Sequence, residues 1–244
     1  MYSTVGIFES KAAAERTRER LIALGFERDN VSLLTPGTNG AQAATVKTTD
    51  TEERGTGAAI GSVIGAATGA SAGAALTAFM PGVGPVIAAG WAAMALLGVT
   101  GAVGGGVVGN AIEDALSSGL PKDELFVYED ALRRGHSVVI AFSNDTVQID
   151  EAHVVMREED AEDVDTARER WWIGIRPEDE KYHEPAYRHG VEAAFHPDVR
   201  GKTWQEAEPY LAKRHGDVFR DEVFRRGYEH GCKHRERWQE THRQ

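Results

Sequence analysis

The hydrophobic and polar positions near the N-terminus predict a strand, a helix and a second strand. Apolar side chains alternate over residues 4–8, as they do in a half-buried strand. An apolar stripe at helical spacing follows, and it predicts a helix that begins after Ser10 and ends before Gly25. Residues 31–34 predict the second strand, which Pro36 ends. The charged residues that this pattern places outside the helical stripe are Arg16, Arg18, Glu19 and Arg20.

A similar α/β pattern returns in the second half of the chain. Pro121 suits the first turn of a helix that ends at Gly135. Residues 137–142 give the clearest strand pattern in the chain and predict a central strand, and residues 147–156 predict a further helix. Asp and Glu then crowd the sequence. Residues 157–170 are typical of a solvated helix extension or of a linker, and we assign residues 158–180 as a charged linker.

A stretch without any charged residue, residues 55–112, separates these two segments. The sequence Pro81-Gly82-Val83-Gly84-Pro85 predicts a turn, with one helix at about residues 57–80 and another at about 86–116. Glycines recur at every fourth residue in both arms, which places them on one face of each helix. We expect these faces to form the helix contacts of a glycine zipper, through Gly57, Gly61, Gly65, Gly69, Gly73, Gly101, Gly105 and Gly109.

Three interpretations of this hairpin are open. In the first, it crosses a membrane, because each arm exceeds the roughly 20 residues that a bilayer requires and no charge has to be buried. In the second, hairpins from several copies of the chain cover one another in a soluble homo-oligomer, because a helix that is apolar on all sides must be buried. In the third, the stretch is a flexible Gly/Ala linker, which the strict spacing of the glycines disfavours.

The C-terminal region, residues 181–244, contains an imperfect repeat. The pattern aromatic-Arg-x-Gly-x-Glu occurs at residues 187–192 and again at 224–229, and Trp-Gln-Glu follows each copy at a different spacing. We expect two short helical units whose aromatic side chains form a small core.

Composition and charge narrow the possible functions. The net charge of -11 and the pI of about 5.3 argue against a nucleic-acid partner, since nucleic-acid binders usually carry a basic surface. The single cysteine, Cys232, excludes an internal disulfide and is typical of a reducing compartment. No basic segment followed by an apolar run opens the sequence. We therefore expect a cytoplasmic N-terminal domain, with any membrane association through residues 57–112.

Candidate chemistry is sparse, and we predict neither an enzyme nor a cofactor. Potential metal ligands are concentrated late in the chain, where His230 and His234 are one helical turn apart and Cys232 lies between them. We assign no metal site, because solvated positions on a polar helix explain these three residues better. A metal- or ligand-binding sensor that uses this His-rich region is an alternative function.

Residues 1–157 resemble the bacterial general stress proteins of the YflT type. The resemblance rests on the opening β-α-β pattern, on the glycine-zipper insertion with its Pro-Gly turn, and on the segment Gly119-Leu120-Pro121-Lys122-Asp123-Glu124 with the Arg134-Gly135 that follows it. It implies a small α/β domain that is split by the insertion and a link to the stress response. It implies no catalysis and transfers no catalytic residue.

The sequence thus predicts an α+β protein with a split, ferredoxin-like α/β domain. The predicted segments are the split domain at 1–50 and 119–157, the glycine-zipper helical hairpin at 55–118, the charged linker at 158–180 and the helical C-terminal region at 181–244. We expect a non-enzymatic, stress-associated structural protein that forms homo-oligomers through the hairpin and is inserted in a membrane, with a soluble homo-oligomeric assembly as the alternative.

Overall fold

The computed structural model describes residues 1–37, 76–80, 83–90, 92–93, 122–177 and 185–241. The chain divides into two compact units, which are residues 1–120 with 128–164, and residues 121–127 with 165–244. The described part of the first unit contains a β-sheet and helices, and that of the second is helical. The predicted α+β class is therefore confirmed.

Five strands form the sheet of the first unit in the order β1-β5-β2-β4-β3, and every neighbouring pair is antiparallel. The strands are β1 (Tyr2–Phe8), β2 (Val31–Pro36), β3 (Leu76–Met80), β4 (Gly84–Ala89) and β5 (Ser137–Ser143). Because β5 lies between β1 and β2, those two strands run in the same direction, and helix α1 (Lys11–Ala23) connects them. All residues of β5 are buried, which confirms the predicted central strand.

The core of the first unit lies where α1 and α3 (Thr146–Glu158) meet the sheet. The predicted helix at 147–156 is confirmed, and its apolar residues Ala152, Val155 and Met156 belong to this core. At the surface, Arg20 donates to the carboxylates of Glu158 and Glu159. These hydrogen bonds join α1 to α3 and lower the pKa of Glu159.

The prediction of a helix on each side of the turn is wrong over residues 76–80 and 84–89. These residues instead form two paired strands, the β3–β4 hairpin. Val86 and Ile87 are β-branched and suit a strand, and Gly84 adopts the positive φ of 99° that the tight turn requires. β4 also pairs with β2, a distant partner that the local sequence does not reveal. All of the glycines predicted to form the zipper lie outside the described residues.

Helix α2 (Leu125–Arg133) begins in the second unit and continues in the first. The other helices of the second unit are α4 (Val164–Ile175), α5 (Pro185–Ala194), α6 (Trp204–His215) and α7 (Glu222–Thr241). The predicted charged linker is therefore wrong over residues 164–175. Ala167, Trp171 and Trp172 recur at helical spacing within the charge run and are buried, so α4 packs as an amphipathic helix.

An aromatic cluster forms the centre of the second unit. The rings of Phe126 and Trp171 have centroids 4.3 Å apart, and Trp171 meets Phe195 edge to face at 5.1 Å. Such tilted pairs are the favoured aromatic geometry and add to the hydrophobic stabilisation of buried rings. The cluster links the start of α2 to α4 and to the residue that follows α5.

Candidate functional site

The two copies of the C-terminal repeat form α5 and α7, and these helices touch through their glycines. A β-carbon built on Gly190 would lie 2.0 Å from the carbonyl oxygen of Phe224. A β-carbon on Gly227 would lie 2.1 Å from the carbonyl oxygen of Tyr187. Contacts this short are impossible for any side chain, so the two backbones approach as they do only because both positions are glycine.

The contact is reciprocal, because the glycine of each copy meets the backbone of the aromatic residue that opens the other copy. The small-residue row continues one turn later with Ala194 in α5 and Gly231 in α7. A β-carbon on Gly231 would lie 2.7 Å from the β-carbon of Ala194. Each helix thus presents two small residues four positions apart, an arrangement that allows close helix packing.

The two helices run in the same direction. The hydroxyl of Tyr187 near the start of α5 lies 2.8 Å from Nδ1 of His230. At the end of α5, Nη1 of Arg235 donates to the carbonyl of Ala194 at 2.6 Å. The contact partners therefore advance together along both helices, as expected of two equivalent helices related by approximate two-fold symmetry.

The repeated arginine and glutamate also have the same role in both copies. They form ion pairs one turn apart, Arg188–Glu192 at 2.9 Å and Arg225–Glu229 at 3.0 Å. Arg188 lies over the ring of Trp172 at 5.8 Å, and Arg225 lies over Trp204 at 5.5 Å. Trp204, which follows the first copy in the sequence, thus packs against the second copy.

The candidate metal ligands of α7 are used in packing. His230 bonds to Tyr187, and the ring of His234 lies 6.3 Å from that of Phe195. Burial raises the pKa of Cys232, so its thiol is protonated at neutral pH. Within the part of the chain that the structure describes, no group of three His, Cys, Asp or Glu side chains could hold a metal ion.

A second polar cluster surrounds the buried His196. Nδ1 of His196 accepts the backbone N–H of Asp198 at 3.2 Å, and Nε2 lies 3.1 Å from a carboxylate oxygen of Asp123. Asp123 also pairs with Arg214 of α6. Burial lowers the pKa of His196, which favours the neutral ring. The hydroxyl of Tyr210 in α6 also lies 2.9 Å from Nδ1 and 3.0 Å from Nε2, so this histidine ties the segment before α2 to α6.

Two short sequences in the chain match parts of enzyme motifs. Gly201-Lys202-Thr203 matches the end of a phosphate-binding loop, but His196 occupies the position of that motif's first glycine. Thr203 and Glu206 instead form a capping box at the start of α6. Residues 69–73 match Gly-x-Ser-x-Gly and lie outside the described residues.

No helix among the described residues is both long enough and apolar enough to cross a bilayer. A comparison of the chain with protein-family models, with characterised proteins and with solved structures gives no significant match.

Proposed function

We propose that this chain is a non-enzymatic structural protein that self-associates through its rows of glycine at spacing four. The observation that carries the proposal is the contact between α5 and α7. There, glycines at the same position of two equivalent helices bring backbones into direct contact. The longer rows at Gly57–Gly73 and Gly101–Gly109 repeat that spacing over more turns, so the same packing between copies of the chain is expected from them.

The soluble form of this assembly is favoured over the membrane-inserted form. A hairpin that crosses a bilayer carries its turn to the far side. The predicted turn instead lies between two paired strands, since Met80 at the end of β3 is paired with Gly84 at the start of β4, and β4 is paired with β2 in the sheet of the first unit. An assembly that leaves this turn beside the sheet agrees better with that pairing.

The link to the stress response follows from the resemblance to YflT-type proteins and is part of the same proposal. The position of β5 between β1 and β2 gives the first unit a split β-α-β arrangement. This arrangement supports a ferredoxin-like description of its core, with the β3–β4 hairpin added beyond β2.

The test is the mass of the purified full-length chain, measured by size-exclusion chromatography with light scattering. We expect a multiple of the 26.5 kDa chain mass, and a smaller species for Gly65→Leu because leucine blocks close helix approach. Gly174→Leu is the matched control, since Gly174 lies in α4 with nothing within 4 Å of an added β-carbon. A monomeric parent protein, or an unchanged mass for Gly65→Leu, would contradict the proposal.

Fractionation of cells without detergent separates the two forms of the assembly. A large particle in the soluble fraction supports the favoured form. A pellet that dissolves only in detergent supports membrane insertion and would refute the argument from the β3–β4 hairpin.

A further inference from the structure

A groove of about 400 Å³ lies on the helical face of the sheet in the first unit, beside α1. Its floor belongs to β2 and β4, whose register places Leu33 opposite Ala89 and Thr35 opposite Ile87. Leu33 and Ile87 are only half-buried, so this floor is partly apolar. The wall is formed by charged side chains of α1, which are Lys11, Glu15, Arg18 and Glu19. The volume lies within the range of small-molecule sites, roughly 300–1,000 Å³.

Arg18 is the unusual member of this wall. The sequence predicts it outside the apolar stripe of α1, yet it is only 9% exposed. Its Nε donates to the carbonyl of Val31 at 3.2 Å, and Nη1 lies 3.8 Å from the carboxylate of Glu19. Nη2 has no hydrogen-bond partner among the described residues. Burial, together with the nearby charge of Arg28, lowers the pKa of Arg18.

Thr35 contributes a second unsatisfied group to the same groove. Its side chain is 1% exposed, and its hydroxyl also has no hydrogen-bond partner within the described ranges. Buried hydroxyl and guanidinium groups are nearly always hydrogen-bonded in folded proteins, because a buried donor without an acceptor is destabilising. Two such groups that line one groove indicate that an acceptor from outside the described residues completes it.

We propose that this groove binds a small organic monocarboxylate. The carboxylate accepts one hydrogen bond from Nη2 of Arg18 and one from the hydroxyl of Thr35, because hydrogen bonds to an ionised acceptor are the strong ones. The apolar part of the ligand covers Leu33 and Ile87. Glu15 and Glu19 balance the charges of Lys11 and Arg18 in the lining, so the groove accommodates a single negative charge better than the double charge of phosphate.

The residues that line this groove do not include the glycines of the rows, and binding and self-association are tested by different measurements. The probes are hexanoate and 4-phenylbutyrate, with hexanamide, 4-phenylbutanamide and inorganic phosphate for comparison. We expect the carboxylates to raise the melting temperature of the full chain saturably and to slow hydrogen exchange in residues 31–36. The amides and phosphate are expected to do neither. No saturable effect of either carboxylate, or equal effects of the amides, would overturn the proposal.

Two variants then locate the site. Thr35→Val keeps the size of the side chain and removes the hydroxyl, and Arg18→Gln removes the charge. Each is expected to weaken carboxylate binding by about tenfold, the typical effect of losing a hydrogen bond to a charged group. Arg16→Gln is the control, because Arg16 lies on the same helix and pairs with Glu159. Unchanged binding by Thr35→Val would refute the site even where Arg18→Gln fails to fold.

Discussion

The α-carbon of Gly227 faces the carbonyl oxygen of Tyr187, so closely that a β-carbon on Gly227 would lie 2.1 Å from that oxygen. Of the two α-hydrogens of Gly227, the one that takes the place of a β-carbon points at this oxygen. This is the geometry of a weak Cα–H···O contact between helices. Gly190 has the equivalent relationship with Phe224. The packing of the second unit therefore depends on two hydrogens that no side chain can replace.

Gly227→Ala should destabilise the second unit by roughly 2–4 kcal/mol, because the added methyl group forces α5 and α7 apart in a packed core. Urea unfolding followed by tryptophan fluorescence measures this change, since all but one of the tryptophans lie beyond residue 164. Gly174→Ala is the control. That helical glycine has open space around it, so alanine there should stabilise the unit by about 0.4–1 kcal/mol. Equal effects of the two substitutions would contradict the contact.

Gly190→Ala and Gly227→Ala should be strongly non-additive. Each methyl group separates the same two helices, so once one is present the second meets a contact that has already opened. We expect the double variant to lose at least about 1 kcal/mol less stability than the sum of the single losses. The same urea titration gives all of the values. Additive losses would show that the two glycines lie in separate contacts.

Short elements with a strong local pattern could be predicted from the sequence, and long-range pairings could not. β5 is a continuous hydrophobic run, and α3 carries Ala152, Val155 and Met156 at helical spacing, so both were predicted correctly. The sequence does not predict β4, because the two β-branched residues Val86 and Ile87 are too short a run beside alanines that suit a helix, and the pairing with β2 decides the strand.

The candidate site was only partly predictable for a similar reason. The sequence shows the repeat, and its aromatic residues predict the core. The repeat pattern by itself does not indicate that the glycines form the contact between α5 and α7. The available sequence signal for this helix contact is a small residue four positions after the glycine of each copy, which is Ala194 in the first copy and Gly231 in the second. Arg18 was assigned to the surface because charged residues rarely lie under a sheet-packed helix.

Gly90→Ala tests the placement of β4 in the sheet. Gly90 has a φ of 88°, and a β-carbon there would lie 2.5 Å from Oγ of Ser32 in β2. Gly84 has a φ of 99° with nothing near its β-carbon position, so Gly84→Ala measures the backbone strain alone, about 1–2 kcal/mol. We expect Gly90→Ala to destabilise the first unit by about 1–3 kcal/mol more than Gly84→Ala does, because steric overlap is added to the strain.

Hydrogen exchange in β5, read by mass spectrometry, reports on the stability of this unit. Similar exchange rates in the two variants would place residue 90 away from β2.

The stability of the second unit should fall as the pH drops from 6.5 to 5. Burial, with the nearby charge of Arg214, lowers the pKa of His215 to about 4, and burial also lowers that of His196. Unfolded histidines bind a proton near pH 6.5, so over this range the unfolded state holds more protons than the folded state and acid favours unfolding. Each histidine contributes at most about 1.4 kcal/mol per pH unit. Urea titrations at several pH values measure the slope of the free energy of unfolding against pH. His215→Gln should reduce this slope. His153→Gln, at an exposed position of α3, is the control and should leave it unchanged. A slope that is the same with and without His215 would show that this ring does not become charged on unfolding.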